Sequence, residues 1–194
     1  MGLPVNKPVS LQDFLVWDEA QSARYEFVGG EPRLMTGGSY AHESIVANVV
    51  RELATQLRGK PCRALASNFK VHISNDNIRY PDAMVECGPP DPERKVAQDV
   101  RLVFEVLSPS TMSTDMLVKM RDYLTIPTLE AYVMLWQDQP QAHIYRKQGS
   151  LWQLEDREGL TDEMAFPVTG VQLAMADVYE GIAFREKRKG RKSP

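Results

Sequence analysis

The chain has 194 residues, of which 43% are hydrophobic and 25% are charged, and its formal net charge is −3. These values are ordinary for a globular protein, and the length is sufficient for one domain with a sizeable core. No apolar stretch of roughly 18 residues occurs, and the N-terminus lacks the apolar segment of a secretory signal. The sequence therefore predicts neither a transmembrane helix nor export, and we expect a cytoplasmic protein.

The basic charge is concentrated at the C-terminus. Residues 185–194 carry six basic residues and one acidic residue, so residues 1–184 hold 17 basic and 25 acidic residues, a balance of −8. An acidic body is a poor general binder of duplex DNA. We predict a single domain over residues 1–184, followed by a basic tail that either contacts phosphates or is a solvated extension. Cys62 and Cys87 lack metal-type spacing and are expected to be reduced and buried.

The first part of the chain predicts a helix, a hairpin and a second helix. Ser10 and Asp13 are typical of a helix N-cap. Gly29 and Gly30 separate two short strand-like runs, which predicts a hairpin. The second helix has an apolar stripe at helical spacing, and His42 falls on its inward side near the helix start. The expected bounds are 11–18 for the first helix, 24–28 and 31–35 for the hairpin strands, and 41–58 for the second helix.

A buried strand is predicted over residues 100–107. This run of apolar residues ends at Ser108-Pro109 and is typical of a strand buried on both faces. Glu105 falls on the same face as Arg101, and an ionised carboxylate there is costly unless it is paired or binds a metal. Glu105 is therefore either an ion-paired acid, for instance with Arg101, or a metal ligand. The opposite face would carry Val100, Leu102, Phe104 and Val106.

Two further residues favour a site around Glu105. Asp82 follows a proline and opens a short apolar run, which places it at a strand start. If this strand neighbours the strand of Glu105, the two carboxylates converge. Lys119 lies in a later helical pattern and shares one face with Asp115 and Tyr123. Two carboxylates and a lysine suit a divalent cation and a phosphate, since Mg²⁺ takes one or two carboxylates with waters and phosphate oxygens.

The remaining segments predict strands and a short terminal helix. Residues 62–74 are expected to form one long or broken strand before a turn at 75–77. Residues 88–99 form a polar loop that is either a flap or a plain surface loop. The order of elements suits an α/β or α+β mixed sheet with helices against it. Further strands are expected at 132–136, 142–146, 151–154 and 171–173, and a helix is expected at 175–183. In the Lys119 helix, Leu117, Met120 and Leu124 would form an apolar face different from the face of Lys119.

Several motifs resemble those of a known family over about residues 10–180. They are R-Y-E-F-V-G-G-E at 24–31, His42 at a helix start, Y-P-D at 80–82, F-E-V-L-S-P-S-T at 104–111, D-x-x-x-K at 115–119, Y-L-T-I-P-T-L at 123–129 and Y-V-M-L at 132–135. Together they resemble the Uma2 (DUF820) family, a group of PD-(D/E)xK-like endonucleases. The E-V-L-S-P-S-T element is specific when P-D precedes it and D-x-x-x-K follows it.

The resemblance implies a restriction-endonuclease-like core and a metal-dependent endonuclease that hydrolyses phosphodiester bonds in DNA. Asp82 and Glu105 would bind Mg²⁺ or Mn²⁺, with the carbonyl of Val106 as a further ligand. The superfamily usually places a lysine two residues after the second acid, where this chain has Leu107. The resemblance implies that this lysine is replaced by Lys119 from the following helix.

Four residues are expected to support this site. Asp115 would orient Lys119, and Tyr123 would support the same helix face. Glu26 is either a salt-bridge partner or an acid behind the metal ligands, with the structural role favoured. His42 is either a hydrogen-bonded core residue or part of the site.

Two other functions remain open. The chain could be a non-catalytic module that binds nucleic acid or protein on the same fold, which Leu107 and the acidic body favour and the retained acids oppose. It could instead be a structural homodimer whose acids form ordinary ion pairs. DNA is the expected substrate, and a homodimer is expected only because duplex cleavage usually needs two sites.

Overall fold

The computed structural model describes residues 10–35, 37–107 and 114–184, without the side chains of Thr114 and Asp115. These residues form three β-sheets and four helices, joined by loops. The helices are α1 (Leu11–Glu19), α2 (Tyr40–Gln56), α3 (Thr114–Leu124) and α4 (Met175–Val178). The strands are β1 (Tyr25–Val28), β2 (Glu31–Leu34), β3 (Arg63–Ala66), β4 (Val71–Ser74), β5 (Asn77–Arg79), β6 (Ala83–Glu86), β7 (Val100–Leu107), β8 (Ala131–Trp136), β9 (Gln141–Gln148), β10 (Leu151–Glu158), β11 (Glu163–Phe166) and β12 (Val171–Ala174).

The largest sheet has six strands in the order β10-β9-β8-β7-β6-β3. Only β7 and β8 are parallel within this sheet, and the other neighbouring strands are antiparallel. A parallel pair needs a crossover connection, and α3 lies in the connection between β7 and β8. The topology therefore fixes α3 beside the central strand that carries Glu105.

Apolar cores cover both faces of this sheet. On one face, Leu102, Phe104 and Val106 pack with α2, α4 and the β11–β12 hairpin. On the other face, Val103 and Leu107 pack against α3. The strand predicted over 100–107 is confirmed with its bounds, although Val100 belongs to the α3-side core because the β6–β7 register shifts at Glu86. The buried residues of the predicted α2 stripe are Ile45, Val46, Val49 and Leu53, with Leu57 just beyond the helix.

The smaller four-stranded sheet, β2-β1-β5-β4, packs against α1. Ser10 caps α1 by accepting the backbone N–H of Asp13 at 3.1 Å, as predicted. Phe14 of α1 stacks on Phe27 of β1, with ring centroids 4.6 Å apart. Because β1 pairs with β5 and β5 leads directly into β6, this sheet delivers side chains of β1 and β5 to the start of β6.

The predicted mixed α/β architecture is confirmed, with local differences. The segment 62–74 is broken into β3 and β4, which belong to different sheets. Strand β11 was not predicted, and α4 ends at Val178, well before residue 183. On the predicted apolar face of α3, Met120 and Leu124 pack against the core, whereas Leu117 is exposed. Within the described ranges, no helix is long and apolar enough to cross a membrane.

The polar loop at 88–99 is fastened to the end of β6. The carboxylate of Glu86 is 2% exposed and accepts two hydrogen bonds from the Arg94 guanidinium, at 2.5 and 3.1 Å. One of its oxygens also accepts the backbone N–H of Gln98 at 3.2 Å. These bonds favour a plain surface loop over a flap. The predicted tail at 185–194 lies outside the described residues, and the predicted domain boundary at residue 184 stays a prediction.

Cys62 and Cys87 are joined by a disulfide, so the expectation of two reduced cysteines is wrong. Arg63 of β3 pairs with Glu86 of β6 in antiparallel register. The neighbouring cysteines therefore face each other across the two strands. Their spacing in sequence gave no sign of this contact, because it depends on the pairing of β3 with β6.

Reducing this disulfide should lower the free energy of unfolding by about 3 kcal/mol, because it closes a loop of 25 residues and restricts the unfolded chain. The measurement is urea unfolding with and without dithiothreitol, with the Cys62→Ser, Cys87→Ser double variant as control. The double variant should match the reduced wild type and should not respond to dithiothreitol. Two reactive thiols in the untreated native protein would contradict the bridge.

Candidate functional site

Asp82 and Glu105 are brought together by the pairing of β6 with β7. Ala83 pairs with Phe104 in antiparallel register, so Asp82 lies across from Glu105, as the neighbouring-strand hypothesis predicts. An oxygen of the Asp82 carboxylate accepts the backbone N–H of Val106 at 2.7 Å. This bond fixes one acid at the start of β6 beside the other acid in β7.

Glu105 is buried in the middle of the largest sheet and is 5% exposed. Its Oε1 accepts a hydrogen bond from the Tyr123 hydroxyl at 3.0 Å, and its Oε2 lies 3.5 Å from the Lys119 ammonium. Burial raises the pKa of Glu105 to about 8, although the charge of Lys119 and the Tyr123 hydrogen bond oppose this rise. Lys119 and Tyr123 of α3 therefore both contact Glu105, and their roles stay predictions.

The Lys119 ammonium lies between two carboxylates. It is 3.5 Å from Oε2 of Glu105 and 3.3 Å from Oε1 of Glu26. Burial disfavours its charge, but Glu105 and Glu26 outweigh that effect and raise the pKa of Lys119 above its ordinary value. Lys119 is therefore a cation at neutral pH. The side chain of Asp115, expected to orient this lysine, lies outside the described residues.

Arg79 is a fully buried cation behind the site and was missed by the sequence analysis as a functional residue. Its Nη1 donates to Oε2 of Glu26 at 3.0 Å. Its Nε and Nη2 donate to one oxygen of Asp122, at 2.9 and 2.6 Å. The sequence does place an arginine beside a predicted strand, and a buried arginine needs acidic partners. No local pattern, however, identifies Glu26 and Asp122 as those partners.

His42 lies in the first turn of α2, where Ser39 caps the helix by accepting the His42 backbone N–H at 3.2 Å. Its Nε2 is 3.2 Å from the Asp82 carboxylate, and its Nδ1 is 3.2 Å from Glu43. Burial opposes a charge on the ring, but the two carboxylates raise the pKa of His42 overall. A Cβ at position 38 would lie 2.5 Å from Nδ1 of His42, so the absence of a side chain at Gly38 leaves room for the imidazole ring in this position. The structure thus brings His42 into the site.

A cleft of about 1060 Å³ opens over these groups, lined by Glu26, His42, Asp82, Glu105 and Lys119. With Asp122 and Arg79 behind it, the cluster holds four carboxylates and two permanent cations, a formal charge of −2 when every carboxylate is ionised and His42 is neutral. Among the described residues, no three His, Cys, Asp or Glu side chains form a ready-made metal cluster. Two neighbouring carboxylates that line an open cleft fit Mg²⁺, which keeps several waters and takes phosphate oxygens.

Glu105 is not paired with Arg101, so that ion-pair hypothesis is wrong. The Arg101 guanidinium contacts Asp99 at 2.7 Å and Glu130 at 3.0 Å. Both partners lie near the N-terminal end of β7, whereas Glu105 lies toward its C-terminal end. Among the residues that the structure describes, Glu105 is instead paired with Lys119, which lines the cleft, and with the hydroxyl of Tyr123, which is fully buried.

Comparisons with known proteins identify relatives over most of the chain. The model of the Uma2 family, described as "Putative restriction endonuclease", matches residues 11–176. The chain is 31% identical over 180 residues to "Uncharacterized protein slr1290" of Synechocystis sp. (strain ATCC 27184 / PCC 6803 / Kazusa), covering 91% of this chain and 94% of that protein. It is 27% identical over 171 residues to "Uncharacterized protein sll1609" of the same organism, covering 86% and 97%.

A solved structure shares the fold. It is the crystal structure of "a putative nuclease belonging to DUF820" from Anabaena variabilis ATCC 29413, with a TM-score of 0.71 at 16% identity. The match covers 89% of this chain and 98% of that one. The predicted fold class and the family resemblance are both confirmed.

Replacing Glu105 by glutamine should change how stability depends on pH. The folded-state pKa of about 8 exceeds the ordinary value of 4.5, so between these values the folded protein holds a proton that the unfolded chain has lost. The stability from this group is complete below pH 4.5 and falls as the pH rises toward 8, by up to about 1.4 kcal/mol per pH unit. Glutamine cannot titrate, so Glu105→Gln should gain stability relative to wild type over this range.

The measurement is urea unfolding in EDTA between pH 5 and pH 8. Glu155→Gln is the control, because Arg146 lowers the pKa of Glu155 and that group stays ionised throughout the range. Its stability difference from wild type should be constant. Parallel curves for wild type and Glu105→Gln would show that Glu105 does not titrate in this range.

Proposed function

This chain belongs to the Uma2 family, and from that premise and the geometry of the cleft we propose that it is a metal-dependent endonuclease that hydrolyses phosphodiester bonds in DNA. One observation carries the proposal: Asp82, Glu105 and Lys119 converge in one cleft. The words "restriction endonuclease" and "nuclease", used for the family and for the Anabaena protein, support the same reaction class.

The metal ligands in this proposal are Asp82 and Glu105, with the carbonyl of Val106 as a third. Mg²⁺ or Mn²⁺ is the cation, since oxygen donors suit both. When bound, such a cation polarises a phosphoryl oxygen and lowers the pKa of a coordinated water. Ionising Glu105 for this role requires loss of its proton, which burial otherwise retains.

Lys119 neutralises negative charge that develops on the phosphate and orients the attacking water. It acts as a cation and not as a proton acceptor, because the neighbouring carboxylates raise its pKa. Tyr123 holds one oxygen of Glu105, and the backbone N–H of Val106 holds one oxygen of Asp82. His42 steadies Asp82 from α2. A cytoplasmic location and a homodimer stay predictions.

Metal binding should depend on both acids. Asp82→Asn and Glu105→Gln each remove an anionic ligand and should weaken Mn²⁺ binding at least about tenfold, measured by calorimetric titration of the full chain. The matched control is Asp156→Asn, because Asp156 also contacts a histidine, with 3.3 Å between its carboxylate and His143, on the far strands β9 and β10. Unchanged Mn²⁺ affinity in both site variants would contradict the proposed metal ligands.

Cleavage should depend on metal and on Lys119. Wild type should cleave supercoiled or single-stranded DNA with Mn²⁺ and not with EDTA, and Lys119→Ala should lower the rate by about a hundredfold because a transition-state charge loses its counter-ion. Lys147→Ala is the control, because the Lys147 ammonium binds the carbonyl of Pro127 away from the cleft. Metal and DNA binding without cleavage would favour the non-catalytic binding module over the endonuclease.

A further inference from the structure

We propose that Glu26 is the positioning residue for Lys119 and that Arg79 and Asp122 hold Glu26 and the lysine's helix in one arrangement. This proposal rests on the proposed function, in which Lys119 assists phosphodiester hydrolysis. It assigns to Glu26 the orienting role that the sequence analysis gave to Asp115.

The two carboxylate oxygens of Glu26 have different surroundings. The residue is 7% exposed, and its Oε2 accepts the hydrogen bond from Arg79 at 3.0 Å. Its Oε1 is buried without a hydrogen-bond partner among the described residues, yet it lies 3.3 Å from the Lys119 ammonium. A buried carboxylate oxygen without a hydrogen bond is costly, so its orientation toward the cleft calls for an explanation.

Among the described residues, the contacts of Lys119 leave its N–H donors available. The contact with Glu26 is electrostatic without hydrogen-bond geometry, and the bond to Glu105 is long at 3.5 Å. Two such carboxylates fix the place of an ammonium group without saturating its three N–H bonds. A water or a phosphate oxygen in the cleft can therefore be bound by Lys119 while Glu26 holds the side chain in place.

Arg79 ties this counter-ion to the helix that carries the lysine. Its guanidinium binds Glu26 of β1 on one side and Asp122 of α3 on the other. Asp122 is three residues after Lys119, on the same helix. A rigid planar guanidinium with several donors suits such a bridge better than a flexible ammonium does. A shift of α3 relative to β1 would break bonds at a fully buried cation, so Lys119 stays at a fixed distance from Glu26.

The charges indicate more than structural pairing. Asp122 alone can neutralise Arg79, and it already accepts two of its N–H bonds. Glu26 is therefore a second acid beside Arg79, whose charge one acid is enough to neutralise. The other carboxylate oxygen of Glu26, Oε1, faces Lys119. Since Lys119 extends from α3 and not from the metal-binding strand, it needs a counter-ion outside that strand to define its position. Glu26 in β1 meets this need.

The first test is Glu26→Gln in the full chain. The amide keeps an oxygen for Arg79, and Asp122 keeps the buried guanidinium paired, so the fold is expected to survive. We expect kcat for Mn²⁺-dependent DNA cleavage to fall about 10- to 100-fold, with KM for DNA and the Mn²⁺ dissociation constant changed less than about threefold. Glu155→Gln, which removes a carboxylate paired with Arg146 at 2.8 Å outside the cleft, should leave kcat unchanged.

A double-mutant cycle separates positioning from general damage. If Glu26 acts through Lys119, adding Glu26→Gln to Lys119→Ala should lower kcat by less than about twofold more. An equal loss in both backgrounds would overturn the proposal. Loss of Mn²⁺ affinity as large as that of Asp82→Asn would also overturn it, because Glu26 would then be a metal ligand.

The role of Glu26 can also be tested without DNA cleavage, so that its failure is distinguishable from failure of the nuclease proposal. The Lys119 ammonium should give a protected Nζ signal in ¹H–¹⁵N spectra of wild type and of Glu155→Gln, and exchange should broaden it in Glu26→Gln. If wild type cleaves no DNA, the proposed function fails while this signal still decides the role of Glu26. If Glu26→Gln does not fold, Asp122→Asn replaces it: broadening of the Nζ signal supports the proposal, and an unchanged signal overturns it.

Discussion

The candidate site depends on one buried carboxylate, that of Glu105, in the middle of the largest sheet. Charge at this depth is unfavourable unless cations and hydrogen bonds oppose the loss of water. Lys119 and Tyr123 provide both, and both extend from α3, the crossover between the parallel strands β7 and β8. The helix that the parallel strand pair requires therefore also carries the two side chains that lower the free-energy cost of burying the Glu105 carboxylate.

The lysine of the site comes from α3 and not from β7. Leu107, two residues after Glu105 on β7, is 6% exposed, packs in the apolar core beneath α3 and also lines the cleft. Lys119 instead reaches Glu105 from the helix and remains partly exposed in the cleft, with Glu26 as a second counter-ion. Arg79 and Asp122 then connect Glu26 and the four-stranded sheet to α3, the helix that carries Lys119.

The surplus negative charge of the cluster connects structure to the proposed chemistry. Without a bound cation, the cations Lys119 and Arg79 only partly balance four carboxylates, and a proton on Glu105 is favoured because burial raises its pKa. A divalent cation can take the place of that proton, since binding and deprotonation are linked. The cleft is thus suited to hold a cation between its acids and an anionic phosphate above them.

The sequence by itself determined most of the helices and strands. The apolar run with Glu105, the proline before Asp82 and the helical spacing around Lys119 predicted that these three residues would converge, because periodicity and turn signals are local properties of the chain. Only the tertiary structure decided which charges meet. Arg79 binds Glu26, which is 53 positions away in the sequence, and Asp122, which is 43 positions away. The disulfide joins Cys62 to Cys87 across a sequence separation of 25 residues. Such contacts follow from strand pairing and helix packing between distant segments, which no local pattern encodes.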